Sequence, residues 1–112
     1  MANVIVNRVK EFLKRFPPFT FLNEASLGLV AKGVEVKYLA QGEQLFSQGD
    51  PAQDFFFVLK EGSVQLTESK EGQDRVVEVC DEGDVFGVLA LLGKRPYILN
   101  ARAIEDSLIY AV

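Results

Sequence analysis

The 112-residue sequence contains no histidine, no tryptophan and a single cysteine, Cys80. Without histidine the chain lacks the commonest general base and the commonest transition-metal ligand, which argues against acid–base or metal catalysis. One cysteine cannot form an internal disulfide, and the N-terminus has no signal-peptide pattern, so we expect a reducing, cytoplasmic location. We expect Cys80 itself to be a small buried apolar residue and not a reactive thiol.

Positive charge and long apolar runs are also scarce. Twelve basic residues against sixteen acidic ones give a net charge of −4, so binding to nucleic acid or to an anionic membrane surface has no electrostatic support. The longest apolar run, residues 85–92, is interrupted by Gly87 and is far shorter than the ~20 residues that span a bilayer. We therefore expect neither nucleic acid nor a membrane as a partner.

The composition that remains is that of one globular domain. The chain is 48% hydrophobic and 25% charged, with nine phenylalanines, and a chain of this length buries roughly two thirds of its unfolded surface around one core. We expect residues 1–19 to form an N-terminal helix and linker, and residues 20–112 to form the domain itself.

Two helices are predicted before residue 34. The first has an apolar face at helical spacing and is ended by Pro17 and Pro18. The second begins after the N-cap Asn23 and ends at Gly33. The apolar face of the first helix suits packing on its own domain or on a second copy, so a homodimer remains open. That face consists of Ile5, Val9, Phe12, Leu13 and Phe16.

Strands dominate the rest of the chain. Apolar and polar residues alternate from residue 34 to 39, and glycine-bounded segments with strand character follow at near-regular spacing. Because no helix separates successive strands, we predict a mostly antiparallel sandwich or barrel. The predicted strands are residues 34–39, 44–46, 55–59, 63–68, 75–80, 99–103 and 108–112.

The most informative segment is residues 83–101, a glycine-flanked short apolar helix between strands. It resembles the phosphate-binding cassette of cyclic nucleotide-binding domains, whose pattern reads Phe-Gly-Glu, an apolar residue, Ala-Leu, several free positions, Pro-Arg and a strand containing Thr. Residues 42–64 resemble the glycine-bounded strands that precede the cassette in that family. The resemblance implies a mainly β, double-sheet jelly roll with two N-terminal helices and a short cassette helix.

In that family the ligand lies between the roll and the cassette helix, and backbone N–H groups at the helix start face its phosphate. Val88 stands where the family has the Glu that binds the ribose hydroxyl, and Tyr97 stands where it has the Arg that pairs with the phosphate. We expect Tyr97 to fill the space of the ligand and the cassette helix to be buried. The resemblance places the site at Phe86, Gly87, Val88, Leu89, Ala90, Pro96, Tyr97 and Asn100.

Asn100 takes the position of the family's Thr. It either donates an amide N–H to an anion or satisfies a neighbouring backbone group, and we favour the second. Arg95 and Arg102 are the candidates for a relocated cation, although we expect both to be solvated.

These observations predict a regulatory, signal-transducing module without catalytic activity, in which binding of cAMP or cGMP is weakened or lost and no cofactor is required. The alternative is a working sensor that binds a nucleotide or another anion through the residual cassette. An enzyme of the metal-binding jelly-roll kind is disfavoured because it needs histidine ligands. Residues 16–19 are similar to domains that precede paired CBS domains and a nucleotidyltransferase-like domain, which makes other domains of a longer polypeptide the expected partners.

Overall fold

The computed structural model describes residues 2–112, with side chains from residue 4 onward. Its two N-terminal helices are α1, Ala2–Leu13, and α2, Glu24–Lys32, with a short 3₁₀ turn at Phe19–Phe21 between them. The N-cap prediction for α2 is confirmed, since the Asn23 side chain accepts a hydrogen bond from the Ser26 N–H at 2.8 Å.

Helix α1 ends earlier than predicted. The sequence pattern extended it to residue 16, whereas α1 ends at Leu13 and is followed by tight turns. In these turns the Arg15 N–H donates to the Phe12 carbonyl and the Phe16 N–H donates to the Leu13 carbonyl. The residue before a proline is disfavoured in the helical region, so the chain leaves the helix ahead of Pro17. Of the predicted apolar face, Val9, Phe12 and Leu13 are buried and Ile5 is exposed.

Within residues 2–112, eight strands form two four-stranded sheets, which confirms the predicted double-sheet jelly roll. One sheet has the order β1-β8-β3-β6 and the other the order β2-β7-β4-β5. A third helix, α3, Val88–Gly93, follows β6. The strands are β1, Glu35–Leu39; β2, Gln44–Phe46; β3, Phe57–Glu61; β4, Val64–Lys70; β5, Gln73–Cys80; β6, Val85–Phe86; β7, Asn100–Ala103; and β8, Ser107–Ala111.

The sequence prediction missed strand β6 because two residues are too short for any periodicity to register. Its two residues pair with the start of β3, Phe57 with Phe86 and Val58 with Val85. This pairing holds the beginning of the cassette against the first sheet.

Aromatic rings fill the core of the roll next to the cassette. Phe57 has its ring centroid 5.8 Å from that of Phe46 and 5.6 Å from that of Phe86. All three side chains are buried. Cys80 is also fully buried, as predicted for a small apolar residue.

The contacts divide the chain into a helical unit, which runs to Glu35 and also includes Val112, and a β unit, Val36–Ala111. Every residue of the candidate site belongs to the β unit. Within residues 2–112, none of the helices combines the length and the apolar character needed to cross a bilayer.

Candidate functional site

The cassette begins at a glycine that the backbone requires. Gly87 precedes α3 with φ +78°, a left-handed conformation that side chains with a Cβ rarely adopt. A Cβ at this position would lie 2.9 Å from Cδ2 of Phe57. Gly87 therefore allows α3 to start directly above the aromatic core.

A cavity of about 660 Å³ lies beside the cassette, within the size range of small-molecule sites. Seven of the eight residues predicted for the site line it, and Asn100 does not. The lining is formed by Phe46, Leu66, Glu78, Val85, Phe86, Gly87, Val88, Leu89, Ala90, Leu92, Gly93, Arg95, Pro96, Tyr97, Ile98 and Leu99.

Tyr97 is locked into the wall of this cavity. Its ring is 3% exposed and stacks on Phe46 with centroids 3.8 Å apart and planes 10° from parallel. Its hydroxyl accepts a hydrogen bond from the Gln53 N–H at 3.1 Å, and its backbone N–H donates to the Asp50 carbonyl at 3.0 Å. We expected Tyr97 to fill the space of the ligand. The ring packs on Phe46, and a cavity lies open beside it.

The cassette helix is more exposed than predicted. Leu89 and Leu92 are each 76% exposed and both line the cavity, while Ala90 is buried and Val88 is half-buried. A six-residue helix at the surface cannot bury all of its faces, so an apolar sequence alone did not show which side chains face outward. Leu89 and Leu92 instead give the cavity an apolar border.

Asn100 lies outside the cavity, in a polar network between strands. Its Oδ1 accepts a hydrogen bond from the Gln48 N–H at 2.8 Å, and its Nδ2 donates to Ser69 Oγ at 3.0 Å. The prediction that Asn100 satisfies a neighbouring backbone group is confirmed. Its assignment to the ligand site is not supported, because both ends of the amide are already engaged.

Arg95 brings a positive charge to the cavity lining. Its side chain runs past Gly93, where a Cβ would lie 3.4 Å from Arg95 Cγ and Cδ. Among residues 4–112 no carboxylate forms an ion pair with its guanidinium. The other candidate, Arg102, is exposed and directs its Nε to the Gly42 carbonyl at 3.0 Å. Arg95 is therefore the cation that the fold places at the site.

Three potential metal ligands lie together where β5 meets the turn before β6. The sulfur of Cys80 and one carboxylate oxygen each of Glu78 and Asp84 lie within 4.8 Å of one another. Burial, followed by the charges of Glu78, Asp84 and Asp81, raises the pKa of the Cys80 thiol to about 12. The thiol of Cys80 is therefore neutral at ordinary pH in this surrounding.

Sequence reasoning missed three lining residues outside the segment 83–101, namely Phe46, Leu66 and Glu78. Within that segment it also left out Val85, Leu92, Gly93, Ile98 and Leu99. Strict alternation back from the buried Cys80 puts Glu78 on the inner face of β5, and this signal could have found it. No such local signal marks Leu66 or Phe46, since they reach the cassette only through the pairing of distant strands.

Comparison with known proteins finds a matching family and similar sequences. The family model described as "Cyclic nucleotide-binding domain" matches residues 36–112. A cAMP-dependent protein kinase regulatory subunit from Mycosarcoma maydis is 33% identical over 106 residues, which is 92% of this chain and 20% of that protein. The chain thus spans about a fifth of the length of that curated relative.

Two solved structures are similar in fold. The regulatory domain of Toxoplasma gondii PKA with cAMP superposes with a TM-score of 0.92 at 23% identity, over 98% of this chain and 42% of that one. The regulatory subunit of a cAMP-independent protein kinase A from Trypanosoma cruzi, bound to guanosine, gives a TM-score of 0.90 at 18% identity, over 99% and 39%. At these identities the likeness shows the fold alone.

Proposed function

The chain belongs to the cyclic nucleotide-binding domain family, and we propose that it is a regulatory module whose binding of cAMP and cGMP is weakened or lost. The observation that carries this proposal is the chemistry of two cavity-lining positions. Val88 and Tyr97 offer an isopropyl group and a neutral phenol where the family pattern has a carboxylate and a guanidinium. The cassette backbone is retained, whereas the carboxylate that would bind the ribose and the guanidinium that would bind the phosphate are replaced.

The missing guanidinium has the larger effect. Removing one partner of a buried charge pair costs about 2–5 kcal/mol, which is roughly 30- to several-thousand-fold in affinity. The Tyr97 hydroxyl does not compensate, because a phenol is a neutral donor and supplies no positive charge to pair with a phosphate. Its oxygen also accepts the Gln53 N–H, which fixes its orientation. Val88 removes a charged acceptor of a hydrogen bond, a further loss of about 1.5–3 kcal/mol.

Calorimetric titration with cAMP and cGMP tests the proposal. The unmodified chain is expected to bind neither in the micromolar range, and the double variant Val88→Glu with Tyr97→Arg is expected to gain binding. Micromolar affinity of the unmodified chain for either nucleotide would overturn the proposal.

Tyr97 is packed in the core, so the double variant needs a check of its fold by circular dichroism. Val88→Glu alone, at a half-buried position, is the safer companion. It is expected to raise a weak affinity without disturbing the stack of Tyr97 on Phe46.

The open cavity favours a second candidate function, a sensor for a different small molecule. Arg95 lines the cavity, and no carboxylate of residues 4–112 pairs with it, so an anion or another hydrogen-bond acceptor would find a charge-assisted contact there. The Trypanosoma cruzi relative holds guanosine, a nucleoside without a phosphate, in the same fold. Arg95→Gln removes the charge at an exposed position and is expected to lower the affinity for an anionic ligand at least tenfold by the size of such contacts.

Regulation implies attached domains, which the lengths of the relatives support. The chain covers 20% of the Mycosarcoma maydis regulatory subunit and 42% of the Toxoplasma gondii domain. The proposed partners are other domains of a longer polypeptide, with paired CBS domains and a nucleotidyltransferase-like domain as the specific hypothesis, in a cytoplasmic protein without catalytic activity of this domain. The mass of the full gene product tests this hypothesis.

A further inference from the structure

Glu78 is the only carboxylate that lines the cavity among the described residues. It pairs directly across from Leu66 in the β4–β5 ladder, and directly paired residues of antiparallel strands point to the same face. Leu66 is buried and also lines the cavity. The register therefore turns Glu78 toward the cavity, where its carboxylate forms part of the rim.

The carboxylate of Glu78 has acceptor capacity to spare. Within residues 4–112 no side chain or backbone group donates a hydrogen bond to it and no cation pairs with it. A carboxylate oxygen of Asp84 lies within 4.8 Å of it. Two carboxylates so close make this part of the rim repel phosphate and attract N–H or O–H donors.

The chemistry of purine bases then separates two kinds of ligand. Guanine presents two adjacent donors, N1–H and the 2-amino group, and a carboxylate accepts from such a pair in a bidentate manner. Adenine presents an acceptor at N1 beside its 6-amino donor, so one of its atoms would face the carboxylate with like polarity. A carboxylate at the rim thus distinguishes the two bases by their donor pattern.

We propose that Glu78 makes the cavity selective for ligands with a guanine-type donor pair over ligands with adenine. This inference rests on the proposed function in one respect, because both assume that the cavity is the ligand site. Each well-placed bidentate contact discriminates between bases by roughly 5- to 150-fold. Because Glu78 is exposed, we expect a preference near the lower end of that range.

The test measures affinities by calorimetry for guanosine, inosine, adenosine, cGMP and cAMP. They are measured for the unmodified chain and for the Val88→Glu, Tyr97→Arg variant, each with and without Glu78→Gln. Guanine ligands are expected to bind at least about fivefold more tightly than adenine ligands, with inosine, which has one donor fewer, in between. Glu78→Gln offers one donor and one acceptor, so the preference is expected to vanish or to reverse toward adenine.

The matched control is Glu105→Gln, which makes the same change of charge at an exposed position outside the lining. It is expected to leave the preference intact. A preference that survives Glu78→Gln, or equal binding of cGMP and cAMP to the double variant, overturns the inference about Glu78 and leaves the proposed function standing.

The same measurements also show whether the proposed function fails while the inference about Glu78 holds. Micromolar binding of cyclic nucleotides by the unmodified chain, with a guanine preference that Glu78→Gln abolishes, overturns the proposed loss of binding and supports the role of Glu78. If neither the unmodified chain nor the double variant binds any of the five purines, the assignment of the cavity as a purine site is wrong and the inference fails with it.

Discussion

Gly87, the residue directly before α3, is subject to two constraints. Its φ of +78° disfavours any residue with a Cβ, and the ring of Phe57 occupies the space that a Cβ needs. Gly72, in the hairpin between β4 and β5, has nearly the same φ of +77°, but a Cβ there would have no heavy atom within 4 Å. The two glycines therefore share nearly the same φ and differ in how crowded their surroundings are.

Substitution at both glycines separates these effects. Gly72→Ala is expected to lower the free energy of unfolding by about 1 kcal/mol through backbone strain. Gly87→Ala is expected to lower it by roughly 1–3 kcal/mol more, the usual cost of overpacking a core. Urea denaturation of both variants measures the difference, and equal losses would show that Phe57 gives way without cost.

Cys80 predicts how stability depends on pH. Burial raises the pKa of its thiol to about 12, against an ordinary value of 9.0. Between these values the unfolded chain releases the proton while the folded chain keeps it, so this contribution to stability is complete below pH 9 and is lost as the pH rises toward 12.

Cys80→Ala is expected to remove that part of the pH dependence. Tyr38 and Tyr110 also have raised pKa values, the first caused mainly by burial and the second by burial alone, so the readout is the difference between the variant and the unmodified chain. Chemical denaturation at several pH values from 8 to 11 provides it. Parallel curves for the two proteins would contradict the assignment to Cys80.

At the scale of elements, helix α2 depends on its first turn. The Asn23 side chain caps the Ser26 N–H, one of the donors that a helix leaves unpaired at its start. Asn23→Ala is expected to lower the free energy of unfolding by about 1 kcal/mol, whereas Asn23→Asp keeps the acceptor and is expected to cost little. Thermal and urea unfolding measure both, and similar losses for the two variants would remove the cap as the cause.

Local patterns predicted these elements well where the signal is short-range. Asn23 and Gly33 predicted both ends of α2, and alternation predicted β1. The glycine-bounded segments predicted β2 and most of β4 and β5. The β4–β5 ladder also contains an irregularity between Leu66 and Thr67, where Glu78 and Val76 become their partners and Val77 is passed over. Such a bulge depends on the partner strand, so the sequence of β5 alone did not reveal which side chains beyond it share a face.

At the scale of the whole molecule, the resemblance of residues 83–101 gave the fold, and seven of eight predicted site residues line one cavity. The openness of that cavity was not predictable. It depends on Tyr97 stacking on Phe46 across about fifty residues of sequence, a long-range choice that periodicity and composition do not encode.

The apolar border of the cavity gives a prediction for the folded protein as a whole. An anionic apolar dye such as anilinonaphthalene sulfonate is expected to fluoresce in the native state, because Leu89 and Leu92 flank an open cavity beside Arg95. The double variant Leu89→Gln, Leu92→Gln is expected to lose most of this fluorescence.

The matched control changes Val76 and Val79 to Thr. Both side chains are exposed on β5 and neither lines the cavity. The control is expected to keep the fluorescence, since it alters an apolar surface elsewhere on the β unit. An equal loss in the two double variants would place the dye on the sheet surface instead.

Phe46 belongs at once to the cavity wall and to the aromatic cluster inside the roll. A ligand bound beside Tyr97 would therefore contact the ring of Phe46, which also packs against Phe57 and Phe86. A ligand that binds in the cavity of the native state is therefore expected to raise the melting temperature of the protein by mass action. A screen of metabolites for upward shifts in the melting temperature would thus search for the natural effector without any assumption about its structure.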